Sequence, residues 1–438
     1  MHSFYSQKGF GVRSILSKLQ LSVQLNQQLE LFSRRSKNTY RRSYRDLIVY
    51  ISVSIAIGLT SVLLSDSSVS ARTVQQSNSA SIMKGAIVAK DSLEAKLAPA
   101  VTQRFKQLGV PGAIIGVWVK GYQPWRTTLG VSDLASRTPI KLNDKMRIGS
   151  ITKTFIGTVF LQLVDEGKVN LDDPVFKYLP DVPNGKNITI RQIGTMQSGL
   201  FNYSDDDAFS KKMSVETNIF WTPQQLIEIS FQNKPNFLPG EKASYSNTNS
   251  ILLGMIIEKL TGNSLQDEIR NRITDPLGMR QTTFATDGKM PNPYSQGYLY
   301  GTFSDPVVPE GTSPRNVTNN NPSWGWAAGA MISTLDDLYR YAKPLAMGKF
   351  LSKKTQAERL NWVKLKEIQY GFHIGNFGGM IGHTGAISGF QSFIGYLPEQ
   401  DATVIVMTNL QNVWSSNKEG LEPANALAQV IMTQLLKK

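Results

Sequence analysis

The apolar positions of this chain change period several times, and each change marks an element. Ile151, Phe155, Ile156, Val159, Phe160 and Leu163 recur at steps of three and four, which predicts a helix opening at Ser150 and closing at Gly167. Leu97 to Leu108 has the same helical spacing and stops at Gly109. Ala113 to Val119 and Trp125 to Val131 are β-branched apolar runs on either side of Gly121-Tyr-Gln-Pro124, the pattern of a hairpin. From Ile188 to Phe284 the pattern is mainly helical. Thr222-Pro223 opens one helix, and Ile251 to Leu260 forms another that stops at Thr261-Gly262. Residues 286–323 are dense in Pro, Gly, Asn and Ser and predict a long loop. Ala327 to Ile332 suggests the end of a strand, and Ser333-Thr-Leu-Asp336 a capped helix. Met380–Thr384, Gly389–Leu397 and Ala402–Thr408 predict three strands, with Pro398-Glu-Gln-Asp401 as the turn before the last. A helix from Pro423 to Leu436 ends the chain.

Strands at both ends with helices between them predict an α/β fold of the α+β kind. One antiparallel sheet is built from both ends of the region, flanked by helices, with an all-helical domain inserted at about 188–320. The cleft where the two parts meet is the natural place for a site.

The amino-terminal part follows another pattern. Residues 1–46 form a basic leader, with nine Lys and Arg against two acids, so half of the net charge of +14 lies there. Leu47 to Leu64 is an uncharged run of about 18 residues, the length of a membrane span or of a signal h-region. With the basic cluster before it, the positive-inside rule places the leader in the cytoplasm and the rest of the chain outside, anchored in the cell membrane through residues 47–64. Val69-Ser-Ala71 offers the alternative of cleavage and release. Residues 65–95 read as a Ser-, Ala- and Gln-rich linker, and 96–438 as the folded domain. Because the excess charge is concentrated in the leader, the folded domain does not read as a nucleic-acid binder. The chain has no cysteine, which excludes thiol catalysis and disulfides, and its three histidines, His2, His373 and His383, show no zinc-binding spacing.

Three polar motifs interrupt the apolar patterns. Ser150 and Lys153 stand three residues apart at a helix start, so a hydroxyl lies on the same face as an amine. Taken alone this is also the pattern of a capped helix with a solvated lysine. Tyr245-Ser-Asn247 precedes the helix of Ile251, where Asn247 is also a plausible cap. His383-Thr384-Gly385 ends a predicted strand, where a satisfied structural histidine is the plainer reading.

In this order the three motifs resemble those of the penicillin-recognising serine hydrolases, the branch containing class C β-lactamases, serine D-Ala-D-Ala carboxypeptidases and related esterases. Gln162-Leu-Val-Asp-Glu-Gly-Lys168, Asp173-Pro174, Gln197-Ser-Gly-Leu200 and Phe237-Leu-Pro-Gly240 are similar to that family as well. The resemblance spans roughly residues 95–435 and implies a β-lactamase/transpeptidase-like fold. It also implies that Ser150 is the acylated nucleophile and that Lys153 and Tyr245 share its proton. Asn247 would orient Lys153 and the substrate amide, and the backbone N–H groups of Ser150 and Ala386 would form an oxyanion hole. His383, with Thr384 and Gly385, would contact substrate or Tyr245. His383 stands where many members have lysine, which weakens the case for an efficient β-lactamase. The activity implied is a D-Ala-D-Ala carboxypeptidase-like or penicillin-binding cell-wall hydrolase, with no metal or cofactor. An esterase, a class C-like β-lactamase or a penicillin-binding sensor are the alternatives. The substrate is a small peptide, ester or β-lactam, with peptidoglycan as a possible larger partner. The chain has no Gly-x-Ser-x-Gly elbow, which argues against an α/β-hydrolase.

Overall fold

The computed structural model describes residues 92–438 except 286, 306, 307, 309, 310, 412, 416, 417 and 438. The predicted leader, membrane run and most of the linker lie outside the described residues. Among the described residues no helix is long and apolar enough to cross a membrane.

Among the described residues the first helix, α1, covers Leu93–Leu108, so its first turn falls within the stretch expected to be linker. Ser92 caps it by accepting from the Ala95 N–H, and Gly109 closes it in the left-handed conformation. Strands β1 (Gly112–Val119) and β2 (Trp125–Gly130) form the predicted hairpin. Helix α2 (Thr152–Asp165) is preceded by a 3-10 turn over Gly149–Ile151. Helix α3 (Pro223–Phe231) starts with a full capping box between Thr222 and Gln225. Helix α4 (Asn247–Thr261) ends on left-handed Gly262, and α5 (Leu335–Ala346) is capped by Thr334.

The carboxy-terminal half adds six strands: β3 (Val363–Leu365), β4 (Ile368–Gly371), β5 (Ile374–Phe377), β6 (Met380–Ile387), β7 (Phe390–Leu397) and β8 (Ala402–Thr408). Helix α6 (Pro423–Leu436) follows. The eight strands form one antiparallel sheet in the order β2-β1-β8-β7-β6-β5-β4-β3. Its centre joins the two ends of the region, with Ile115 opposite Val406.

Alternation along the central strands sends side chains to two cores. Ala113, Ile115 and Val117 pack with Val404 and Val406 against Leu97 and Val101 of α1 and Leu427 and Ile431 of α6. Ile114, Ile405 and Met407 face the other way, toward α2, α4 and α5. Both faces are covered, so these strands read as continuous apolar runs rather than as alternating ones. Each fully buried Val, Leu or Ile contributes about 1.5–3 kcal/mol relative to exposure.

Helix α2 is buried on nearly every side, from Thr152 through Leu161. It runs through the middle of the larger core, and its amino-terminal end carries the Ser150 turn. The stretch expected as a helical insert also contains short strands at Thr283–Phe284, Tyr298–Leu299 and Arg315–Asn316. The strand expected at Ala327–Ile332 is a short helix, Trp326–Gly329, followed by the strand Met331–Ser333.

Candidate active site

Ser150 does not begin the α-helix. It lies within the 3-10 turn, and the α-helix starts at Thr152. Residues three apart at such a helix start lie on one face, which brings Lys153, in the first turn of the α-helix, beside Ser150. Lys153 Nζ lies 3.1 Å from Ser150 Oγ. Far from being solvated, Lys153 is fully buried, and Nζ also donates to Asn247 Oδ1 at 2.8 Å and to the Ala328 carbonyl at 2.7 Å.

Asn247 Oδ1 and the Ala328 carbonyl can only accept from Nζ, whereas the Ser150 hydroxyl can accept from the amine or, once the amine is neutral, donate to its lone pair. Burial with no carboxylate partner holds the Lys153 pKa well below the ordinary lysine value.

Asn247 is not the cap of α4. Ser246 occupies that position without a side-chain capping bond, and Asn247 is the first helical residue. Its side chain is taken up by the site, with Oδ1 toward Lys153 and Nδ2 donating to Ser204 Oγ at 3.0 Å. Its backbone N–H donates to Asn202 Oδ1 at 2.9 Å.

Tyr245 stands on the extended segment just before, which is pinned by the Ser244 N–H bond to the Met196 carbonyl. Lys153 Nζ lies 4.9 Å from the centre of the Tyr245 ring. Burial pushes the Tyr245 hydroxyl up from its ordinary value, a hydrogen bond with Ser150 opposes this, and the charge of Glu422 adds to it. Lysine is pushed toward the neutral amine and tyrosine toward the neutral phenol.

The strand edge completes the cleft. Gly149 has φ +51, and a Cβ there would lie 2.5 Å from the Ala386 nitrogen. A Cβ on Gly385 would lie 2.0 Å from the Ile148 carbonyl oxygen. These two glycines let the Ser150 turn and strand β6 meet backbone to backbone. Ser392 Oγ fixes the contact by donating to the Ile148 carbonyl at 2.9 Å. Ala386 itself is exposed, and Thr384 is half-buried.

His383 is buried beside Tyr245, with ring centres 6.4 Å apart. Its hydrogen-bonding partner is Tyr370, not Tyr245: the Tyr370 hydroxyl lies 3.0 Å from His383 Nε2. Nδ1 bonds the Thr384 carbonyl. Burial pulls the His383 pKa down to about 3. His373 is a structural histidine, bonded to the Gly194 carbonyl and to Ser250 Oγ.

The five predicted side chains Ser150, Lys153, Tyr245, Asn247 and His383 therefore converge at one place. Sequence reasoning did not find Asn202, Ser204, Tyr370 or the Ala328 carbonyl. Asn202 lies two residues beyond the Ser198-Gly-Leu200 stretch that had drawn attention, and a backbone carbonyl carries no sequence signal. Trp324 and Trp326 pack into the core around Phe209 and Gly254. Among the described residues no group of three or more His, Cys, Asp or Glu side chains is placed to hold a metal.

Comparison with known proteins agrees with this architecture. The sequence model of the Beta-lactamase family matches residues 97–427, and the chain belongs to that family. This places it among the penicillin-recognising serine hydrolases.

Protein flp of Staphylococcus aureus (strain MW2) is 29% identical over 318 residues, which are 69% of this chain and 60% of that protein. Penicillin-binding protein 4* of Bacillus subtilis (strain 168) is 27% identical over 298 residues, 64% of each chain. The match thus spans only about 60% of the length of the first of these relatives. Among solved structures, a D-stereospecific amidohydrolase from Streptomyces sp. superposes with a TM-score of 0.65 at 32% identity, covering 76% of this chain and 97% of that one. The D-amino acid amidase of Ochrobactrum anthropi SV3 superposes with a TM-score of 0.69 at 26% identity, covering 78% and 98%.

Proposed function

We propose that this protein is a serine amidohydrolase that cleaves the bond on the carboxyl side of a D-amino acyl group through an acyl-enzyme on Ser150. The observation that carries the reading is the placement of a buried lysine nitrogen 3.1 Å from a serine hydroxyl and 4.9 Å from the centre of the Tyr245 ring. The D-stereospecific neighbours at 32% and 26% identity support the acyl group named.

In the first half-reaction, Ser150 Oγ attacks the substrate carbonyl carbon while its proton passes to Lys153 Nζ. The new oxyanion is held by the backbone N–H groups of Ser150 and Ala386. As the C–N bond breaks, Tyr245 gives its proton to the leaving nitrogen, and the proton on Lys153 returns to Tyr245. Water then attacks the ester carbonyl as Lys153 Nζ takes its proton, the bond between the acyl carbon and Ser150 Oγ breaks with that proton passing to Oγ, and the D-amino acid leaves. Asn247 holds Lys153 in line, and Thr384 and Gly385 on the strand edge contact the substrate. D-Ala-D-Ala carboxypeptidase, esterase and β-lactamase activities are variants of this chemistry with other leaving groups.

A single panel tests the reading. The full chain is offered a D-amino acid amide, a D-Ala-D-Ala peptide, a nitrophenyl ester and a chromogenic cephalosporin. Turnover of the D-amide or D-peptide, lost in Ser150→Ala, is the expected result. Turnover of the cephalosporin alone would replace the amidohydrolase reading with a β-lactamase one.

We propose further that residues 47–64 place the hydrolase domain outside the cytoplasm on a bacterial membrane. The full chain is expected in the membrane fraction and a chain lacking residues 1–71 in the soluble fraction. Equal partition of the two contradicts the anchor.

A further inference from the structure

When Ser150 gives up its proton, Lys153 Nζ becomes an ammonium inside the protein, where burial opposes the charge. Two acceptors already face it, Asn247 Oδ1 at 2.8 Å and the Ala328 carbonyl at 2.7 Å. Dipoles aimed in advance at a charge that forms during the reaction stabilise it without reorganisation. Asn247 is steered by its own side-chain bond to Ser204. The Ala328 carbonyl belongs to the main chain, so its aim depends on the turn that carries it.

That turn is the short helix Trp326–Gly329, and it is held along its length. The Ala328 N–H donates to the Gly325 carbonyl at 2.6 Å, and the Ala330 N–H to the Trp326 carbonyl at 3.0 Å. Just beyond it, the Met331 N–H donates to Thr152 Oγ1 at 3.2 Å, and the Met331 carbonyl accepts from the Ile148 N–H at 2.9 Å. The chain is thereby stitched to both flanks of the Ser150 turn. One side of the short helix lies against that turn: a Cβ on Gly329 would stand 3.6 Å from the Gly149 carbonyl carbon. The other side lies against α4, where Gly254 leaves a slot. A Cβ on Gly254 would stand 2.7 Å from the Trp326 ring and 2.8 Å from the Ala327 Cβ.

The backbone of Trp326 is strained, with φ +26. A bulky residue is an outlier in that region and stays there only where its surroundings impose it. Glycine adopts such angles freely, and glycine stands at 325 and 329 but not at 326. The residue that carries the strain is the one whose ring fills the Gly254 slot, two positions before the carbonyl that meets Lys153.

We propose that Trp326 is a positioning residue for the catalytic lysine: its ring, locked in the Gly254 slot, holds the strained turn that aims the Ala328 carbonyl at Lys153 Nζ. The carbonyl serves the ammonium that exists only after Ser150 has been deprotonated. The inference rests on the acyl-enzyme reading and deepens it.

The test follows kcat/KM against pH for the full chain with the nitrophenyl ester of a D-amino acid. An acceptor favours the charged lysine, so its loss lowers the Lys153 pKa, and the acid limb moves to lower pH. Trp326→Gly relieves the strain and empties the slot, and Gly254→Ala pushes the ring out of it. Each should move the limb down by about one unit, the scale of one hydrogen bond to a charged group. The plateau should fall by about threefold to tenfold, because a weaker base accepts the proton less readily. A purely structural role for Trp326 would lower the rate at every pH and leave the limb in place, and a limb unmoved in both variants overturns the inference.

A third variant reaches the carbonyl without touching a side chain. Glycolic acid in place of Gly329 turns the Ala328 carbonyl into that of an ester, a weaker acceptor. The limb should move down here as well, and a limb at the wild-type position contradicts the role of the carbonyl. If the wild-type chain forms no acyl group on Ser150 with this ester, the acyl-enzyme reading falls and the inference with it. A normal acyl-enzyme with unmoved limbs removes the inference alone.

Discussion

Lys153 Nζ and Ser150 Oγ stand 3.1 Å apart inside the protein, and the lysine's other two partners are the Asn247 amide oxygen and the Ala328 carbonyl. Nothing negative neutralises the amine. Burial therefore acts on it in one direction only, toward the neutral base that a serine nucleophile needs.

The pH dependence of kcat/KM follows from the two shifts. Lys153 must be neutral to accept the proton, and its folded pKa is lowered. The acid limb should thus lie well below the ordinary lysine value of about 10.4. Tyr245 must be protonated to donate, and its pKa is raised, so the alkaline limb should lie above the ordinary tyrosine value of about 10. The expected profile is a plateau whose acid limb lies well below the ordinary lysine value and whose alkaline limb lies above the ordinary tyrosine value. An acid limb near the ordinary lysine value contradicts the neutral-base assignment.

Asn247→Asp changes almost no volume but puts a carboxylate 2.8 Å from Nζ. An opposite charge favours the ammonium, so the Lys153 pKa should rise and the acid limb move upward with it. At a pH below the limb, activity should fall by about tenfold for each unit of that movement and recover at higher pH. Loss of rate without movement of the limb would mean that Asn247 acts on the substrate alone.

Gly149→Ala and Gly385→Ala test the backbone contact between the Ser150 turn and strand β6. Each added Cβ meets backbone, at 2.5 Å from Ala386 N and 2.0 Å from Ile148 O. Gly149 also has φ +51, so alanine there should cost about 1–3 kcal/mol in stability, read from denaturant unfolding. Moving the strand also moves the Ala386 N–H, and loss of one such donor lowers kcat by about 100-fold or more. Wild-type kcat in both variants would remove Ala386 from the oxyanion site.

Much of this arrangement is legible in the chain, for reasons that differ from residue to residue. Ala402–Thr408 is readable to its ends because a buried apolar run follows directly on a Pro-Glu-Gln-Asp turn. The α3 start is readable because Thr222-Pro223 and Gln225 carry the whole capping pattern. Strands β3 to β5 left no such trace. They are three or four residues long, and the tight connections between them use Lys366 and His373 at positive φ, where glycine or asparagine would have marked a turn. Tyr370, which lies between those two connections, was therefore missed along with its bond to His383. The Ala327–Ile332 stretch was misread because a short run of Ala and Gly fits a helix turn as well as a strand. The catalytic motifs were readable as motifs. What the sequence could not show is that Lys153 is wholly buried, since its partners come from residues 247 and 328.

The most direct test of the account is the intact mass of the full chain, quenched within seconds of mixing with the nitrophenyl ester of a D-amino acid. The account predicts a transient increase equal to one acyl group, mapped by peptide digestion to Ser150 and absent from Ser150→Ala. An adduct on another residue, or hydrolysis that continues undiminished in Ser150→Ala, contradicts it.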